Sequence, residues 1–235
     1  MKNNENAYDE IYKKSRYMGV QYKRVNASTT ALIEIMEQHI HNDEKLSLLD
    51  AGCGDGAVLY SISQTFKNLK CTGFDYSNAM VSYAIEHLPE NIKILQGNIY
   101  DVDDLTRDSF DIVTCIHTLS LVDEFEKPLS QLISKANKYV FINSLFSSHN
   151  VDLKTVMRED GYPPIIWNIW SMKRFKGFAL EHGAKHVEFK KFMMPYDLPF
   201  IENGTGSYTK RLSDGKRITF TGPLYLPWYF AIITK

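Results

Sequence analysis

From Leu46 onward the chain alternates short apolar runs with stretches of helical period. LSLLDA is followed by a helix to Phe66, LKCTGFD by one over Asn78 to Leu88, NIKILQ by a loop, and FDIVTCI by a helix over Glu124 to Ala136, with YVFINSL beyond. Five strands spaced by helices in this way predict a parallel, doubly wound α/β sheet. Lys185 to Met193 alternates as a sixth strand, and Tyr229 to Thr234 makes a seventh. Gly183 is placed to end a helix begun near Ile169. Upstream, Thr29 to Ile40 sets Leu32, Met36 and Ile40 on one helical face, and with the Tyr-rich, basic stretch Tyr8 to Tyr22 it predicts an N-terminal helical cap. Pro195 to Pro227, with Asn203-Gly204 and Asp214-Gly215, reads as loops and a hairpin inserted before the last strand. The expectation is a single domain over 1–235: a cap over 1–44, a core over 45–145, and later helices, insert and final strands over 146–235.

A chain of 235 residues suffices for one such domain with its own core. Lys and Arg total 27 against 28 Asp and Glu, so no global basic field draws nucleic acid or an anionic membrane. The basic clusters Lys173, Arg174, Lys176 and Lys210, Arg211, Lys216, Arg217 read most simply as solvated faces. Cys53, Cys71 and Cys115 form no C-x-x-C pair, which argues against a zinc site and a secreted disulfide framework and fits a reducing cytoplasm. MKNNENAYDE lacks the apolar region of a signal peptide, and Tyr225 to Ile233 is too short to cross a bilayer. A cytoplasmic protein without a metal, a nucleic-acid partner or a membrane partner is expected, with a homodimer left open.

The most informative stretch is Leu46 to Gly56, an apolar strand that enters an acidic, glycine-rich turn. Gly52, Gly54 and Gly56 leave no side chain between the backbone and a ligand, and the helix from Ala57 points its N-terminus at the same spot. Gly52 to Ala57 also satisfies the dinucleotide fingerprint G-x-G-x-x-G/A, with Asp75 about 20 residues beyond. Charge separates the two readings: pyrophosphate is anionic, whereas Asp50 and Asp55 place carboxylates on the turn. A sulfonium and an ammonium suit such a turn better. Asp50, Gly52, Gly54 and Gly56 fill the first motif of the class I S-adenosylmethionine-dependent methyltransferases, which this stretch resembles. That resemblance implies a Rossmann-like, mainly parallel seven-stranded sheet whose last two strands form an antiparallel hairpin, and S-adenosylmethionine as cofactor.

Ligands of a doubly wound sheet lie outside the carboxyl ends of the strands, so the residues after each strand come next. Asp75 can accept from both ribose hydroxyls, while Ser77 is better placed to cap the following helix. Asn98, in Gln96-Gly97-Asn98-Ile99, stands where the family usually has an Asp against the adenine, and Ile99 and Tyr76 could sandwich the ring; Asn98 reads equally well as a turn residue. DIVTCIHTL is similar to the matching segment of the quinone-biosynthesis O-methyltransferases, and YKRVN to an N-terminal motif of that group. The match implies cofactor contacts at Arg24, Gly54, Asp75 and Ile116, with Cys115 beside them. The resemblance runs over residues 20 to 145. It departs at Thr118-Leu119-Ser120-Leu121, where the quinone enzymes carry an acidic, His-bearing turn, so quinone methylation does not follow. The N-methyltransferase signature is absent after Val113, and Tyr162-Pro163-Pro164 lies in the wrong place to substitute for it.

His117, just beyond the fourth strand, could act as a general base or be a packed histidine; His149, after the fifth, is the second candidate. Trp167, Trp170, Tyr196, Phe200, Tyr208, Tyr225 and Trp228 read either as walls for a sugar or another compact acceptor or as an aromatic core. The expected function is methyl transfer from S-adenosylmethionine to a small molecule, at a hydroxyl of a sugar or other metabolite. An NAD-dependent oxidoreductase, a cofactor-binding subunit without catalysis and a macromolecular methyltransferase remain alternatives.

Overall fold

The computed structural model describes residues 19–158, 164–200 and 207–235. The N-terminal segment forms α1 (Val20–Lys23) and α2 (Ala27–Met36). The core then runs β1 (Ser47–Ala51), α3 (Ala57–Thr65), β2 (Lys70–Asp75), α4 (Asn78–His87), β3 (Lys93–Gln96), α5 (Val102–Leu105), β4 (Phe110–Ile116), α6 (Glu126–Lys135) and β5 (Ala136–Ser147). Beyond it come β6 (Leu153–Met157), β7 (Ile165–Ser171), α7 (Met172–Glu181), β8 (His186–Lys191), β9 (Ser207–Arg211), β10 (Arg217–Thr221), β11 (Leu224–Tyr225) and β12 (Trp228–Thr234).

The main path of the sheet is β3-β2-β1-β4-β5-β12-β8, parallel except for β12, which runs antiparallel to both neighbours. The seven strands, the doubly wound order and the reversed strand agree with the sequence-based expectation. β1, β4 and β5 are apolar on both faces because helices cover both sides. One side holds Leu32, Met36, Leu59, Ile62 and Ala84 of α2, α3 and α4; the other holds Val102, Leu129, Leu132, Phe175 and Ala179 of α5, α6 and α7. In α6 the apolar positions 129, 132 and 133 recur at helical spacing, and Pro128 is tolerated in its first turn. Strand order reverses between β1 and β4, which sets a crevice at their carboxyl ends.

The later chain departs from expectation. Ile169 does not begin a helix: it lies in β7, which pairs antiparallel with β6 and joins β5 through Phe146↔Trp170. The β-branched and aromatic run IIWNIW favours the extended state, and α7 starts only after Ser171, whose Oγ accepts from the Arg174 N–H at 3.3 Å. The segment before the last strand forms a separate three-stranded sheet, β11-β10-β9, turned by Gly215 of Asp214-Gly215. Tyr8 to Met18, Tyr162-Pro163 and Asn203-Gly204 lie outside the described residues.

Candidate active site

β1 ends at Ala51, and the glycine-rich turn after it is held against β2 by the Gly52 and Cys53 N–H groups, which donate to Phe74 O at 2.8 and 2.9 Å. Gly52 and Gly54 have φ of 74° and 55°, a region that costs an L side chain about 1–2 kcal/mol. Their surroundings differ. A Cβ on Gly52 would stand 2.3 Å from Thr118 Oγ1 and 2.9 Å from its Cβ, so the turn is packed against the loop after β4. A Cβ on Gly54 would meet nothing within 4 Å. There the bare backbone faces open space.

Asp75 borders that space. One carboxylate oxygen accepts from the Gly54 N–H and the other from the Ser77 N–H, each at 2.9 Å. Ser77 takes the cap of α4, its Oγ accepting from the Met80 N–H at 3.3 Å. Asp50 is buried in β1 and accepts from the Thr114 hydroxyl at 2.7 Å. Burial, partly offset by that hydrogen bond and reinforced by the Asp75 charge, pushes its carboxyl up to about 7. The native state therefore holds a proton on Asp50 that the unfolded chain, near 3.8, has released. Stability falls as pH rises from about 4 to 7, then levels off. Asp50→Asn, neutral throughout and still an acceptor for Thr114, is expected to lack this loss. Calorimetric melting of both cofactor-free proteins between pH 4.5 and 8 checks it, the difference widening in favour of the variant toward high pH.

The sequence puts the Asp55 charge on the same turn, but the fold uses it elsewhere. Its Oδ2 accepts from the Gly19 N–H at 2.9 Å, its Oδ1 from the Ala57 N–H at 3.2 Å, and its carbonyl from the Tyr22 hydroxyl at 2.6 Å. Asp55 thus fastens the N-terminal segment to the turn and offsets the missing N-cap of α3. Of the acidic groups near the turn, Asp75 is the one that borders the open space at Gly54, while Asp50 lies buried beneath it.

The remaining expected contacts divide. Asn98 follows its turn reading: its Oδ1 accepts from the Tyr100 N–H at 3.0 Å, which leaves Nδ2 as the donor. Tyr76 is half-buried beside Asp75. Ile99 packs into the core cluster of Phe74 and Val102, so little of it is available to sandwich a ring. Cys115 and Ile116 are likewise core residues because β4 is a central strand covered on both faces; the buried thiol is pushed up by desolvation. Their side chains are thus committed to the two core clusters. Arg24 is exposed, its guanidinium 5.7 Å over the Tyr196 ring, and lines a cleft of about 510 Å³ with Thr30, Glu34, Lys190 and Phe230. No described contact joins it to the glycine turn.

His117 follows β4 in the left-handed region at φ 62°, the only non-glycine among the described residues with positive φ. Such strain persists only where the surroundings over-determine it. Its N–H donates to Asn143 O at 2.9 Å, its carbonyl accepts from the Ser120 hydroxyl at 3.2 Å, and its ring stands edge-on to Trp228 at 4.8 Å. Burial lowers its pKa to about 4, against a smaller upward push from the Asn143 side chain, so the imidazole is neutral at pH 7. The loop beyond is pinned from β7: Asn168 Nδ2 donates to Val122 O at 2.6 Å and Trp170 Nε1 to Leu119 O at 2.9 Å. The residue after His117, Thr118, packs its side chain on Gly52 of the turn.

His149 does not join this group. β5 continues four residues past Asn143, roughly 13 Å, and carries His149 to an exposed turn. The aromatic residues also split: Trp167 and Trp228 meet edge to face at 5.9 Å beside His117, Trp170 is core, and Tyr208 stacks on Phe220 in the small sheet. Thr114, Thr118 and Asn143 escaped the sequence reading; the one signal for Asn143 was the polar pair Asn143-Ser144 inside an apolar strand. Among the described residues no group of three His, Cys, Asp or Glu side chains could hold a metal ion, and no helix is long and apolar enough to cross a membrane.

S-adenosylmethionine fits the chemistry of the turn: open backbone at Gly54 bordered by the Asp75 carboxylate, a pairing suited to hydroxyl donors and ill suited to an anionic pyrophosphate. Comparison with known proteins agrees. A family model described as a methyltransferase domain matches residues 42–188. The malonyl-[acyl-carrier protein] O-methyltransferase of Bacillus cereus is 25% identical over 118 residues, 50% of this chain and 42% of that one. An uncharacterised Haemophilus influenzae protein is 28% identical over 145 residues, 57% and 50% of the two chains. The chain thus spans about half the length of these relatives. In fold it resembles the Haloferax volcanii methyltransferase solved with the Trm112 activator, with TM-score 0.65, 16% identity and coverage of 97% and 96%. It also resembles the magnesium protoporphyrin IX methyltransferase of Synechocystis with bound S-adenosylmethionine, with TM-score 0.56, 15% identity and coverage of 98% and 90%. The chain belongs to the methyltransferase-domain family, with the class I fold and S-adenosylmethionine as its cofactor.

Proposed function

We propose that this protein transfers the methyl group of S-adenosylmethionine to a hydroxyl oxygen of a small molecule. The observation that carries the reading is His117: neutral, strained and walled by Trp228, it stands one residue from the packing of Thr118 on the glycine turn. The cofactor supplies an electrophilic methyl carbon. The chain's residues align the acceptor, exclude water and receive the hydroxyl proton, alignment giving most of the rate and the base a smaller factor. Asp75 and the Gly54 backbone are assigned to the ribose side and Asn98 Nδ2 to the adenine, while Asp50, buried on Thr114, supports the turn from below. The cleft bounded by Arg24, Tyr196 and Phe230 is wide enough for a compact acceptor.

A small acceptor is favoured over a nucleic acid because much of the basic clusters is neutralised. Arg174 pairs with Glu126 and Asp152, Arg211 and Arg217 share Asp197, and Lys216 pairs with Asp214.

Titration calorimetry with S-adenosylhomocysteine and NAD tests the cofactor: micromolar binding of the first and none of the second is expected, and the opposite result rejects the proposal. Methyl-labelled cofactor and a cell extract test the acceptor, since label in the protein or nucleic-acid fraction overturns a small-molecule substrate. His117→Ala is expected to slow turnover roughly a hundredfold with adenosylhomocysteine affinity unchanged. Wild-type turnover would remove the base.

A further inference from the structure

We propose that Asn143 is a positioning residue that fixes the tautomer of His117, so that the ring nitrogen turned toward the acceptor side keeps its lone pair. The role rests on the methyl-transfer reading; the geometry does not.

Asn143 is wholly buried in β5, opposite Ile116 of β4 and Phe230 of β12. Its Nδ2 donates to Tyr229 O at 3.2 Å. A carbonyl only accepts, so this bond decides which end of the amide is nitrogen and sends Oδ1 the other way. Oδ1 is there a buried acceptor without a hydrogen-bond partner. The backbone brings His117 to the same place: its N–H donates to Asn143 O at 2.9 Å, and its ring stands edge-on to Trp228, the β12 residue before Tyr229. The amide favours a proton on the ring, while the contact still falls short of a hydrogen bond. Long contacts of this kind tighten when a ligand closes the site.

A neutral imidazole has one N–H and one lone pair. An acceptor on one side selects the tautomer whose N–H points to it and leaves the lone pair on the other nitrogen. As the acceptor oxygen would bond to the methyl carbon, that carbon's bond to sulfur would break with its electron pair left on sulfur, the O–H bond would break with its pair left on oxygen, and the proton would go to that nitrogen to give an imidazolium. Asn143 Oδ1 then meets a cationic N–H, a stronger hydrogen bond than before. Asn143 thereby favours the ring in the form it takes only during reaction, without touching the substrate.

Long-range ¹H–¹⁵N correlation spectra of the full chain labelled with ¹⁵N-histidine test this, with His117 assigned by loss of its signals in His117→Gln. Wild type is expected to show one tautomer at pH 7.5, with the two ring nitrogens well separated in shift. In Asn143→Leu, of similar volume and without an acceptor, the separation should narrow by at least half. Adenosylhomocysteine affinity, measured on the same samples, verifies that the variant is folded; a wild type that fails to bind it sinks the methyl-transfer reading and leaves the tautomer question standing. An even tautomer mixture in wild type overturns the proposal without any variant. So does an unchanged separation in Asn143→Leu.

Discussion

Gly54→Ala is expected to yield a folded protein that has lost S-adenosylhomocysteine. The added Cβ meets no protein atom within 4 Å, so its cost to the free protein is the positive φ of 55° alone. That amounts to about 1–2 kcal/mol, or a melting temperature lower by about 2–8 °C. The same methyl group projects into the space assigned to the cofactor, where the main chain must be approached directly. Affinity should fall roughly a hundredfold or more, about 3 kcal/mol. Gly52→Ala is the contrasting case. Its Cβ collides with Thr118 Oγ1 at 2.3 Å and with the Thr118 Cβ at 2.9 Å, and a short branched side chain has no rotamer that clears both. That variant should lose stability first. Calorimetric melting and adenosylhomocysteine titration on the two proteins distinguish these outcomes, and a Gly54→Ala protein that binds as wild type would place the cofactor elsewhere.

The second large effect is expected at Asp75. Its carboxylate holds the Gly54 and Ser77 N–H groups, so it shapes the turn as well as facing the ribose. Hydrogen bonds to a charged group contribute about 1.5–3 kcal/mol each. Asp75→Ala removes the acceptors for both amides and for the sugar, and the adenosylhomocysteine dissociation constant should rise by roughly two to three orders of magnitude. Asp75→Asn, which keeps one oxygen and sets an amide donor against an N–H, should fall between. The core lies in β1, β4 and β5, so both variants should unfold cooperatively. Affinity within threefold of wild type in Asp75→Ala would withdraw the ribose assignment.

The fold was legible wherever the local pattern and the tertiary environment agreed. Central strands such as FDIVTCI are mostly apolar on both faces because both are covered, and the turn after β1 is marked by its glycines. The β6–β7 hairpin was not legible. IIWNIWSMKRF carries no boundary at Ser171 that a period count detects, and the partner that makes Ile165–Ser171 a strand lies across a segment of little pattern. The site shows the same division. Asp50, Gly54, Asp75 and His117 stand at ends of strands, where position in sequence implies position at the crevice. Cys115 and Ile116 close a strand covered on both faces, so their side chains enter the core clusters, and His149 fails because β5 outruns its neighbours. The role of Asn143, and the place of Trp228 beside His117, became visible only with the pairing of β5 to β12, a contact between residues more than 80 apart in sequence, as in Trp228↔Leu145.

β12 lies between β5 and β8, though it follows both in sequence. During translation, therefore, the nascent domain presents an open gap where Phe230 and Ala231 will sit, and β8 has no neighbour to dock on. Trp228 arrives with that strand, so the ring that confines His117 reaches its place after the glycine turn is already formed. A ribosome-bound chain stalled short of residue 228 would carry the glycine turn and lack the ring that stands against His117.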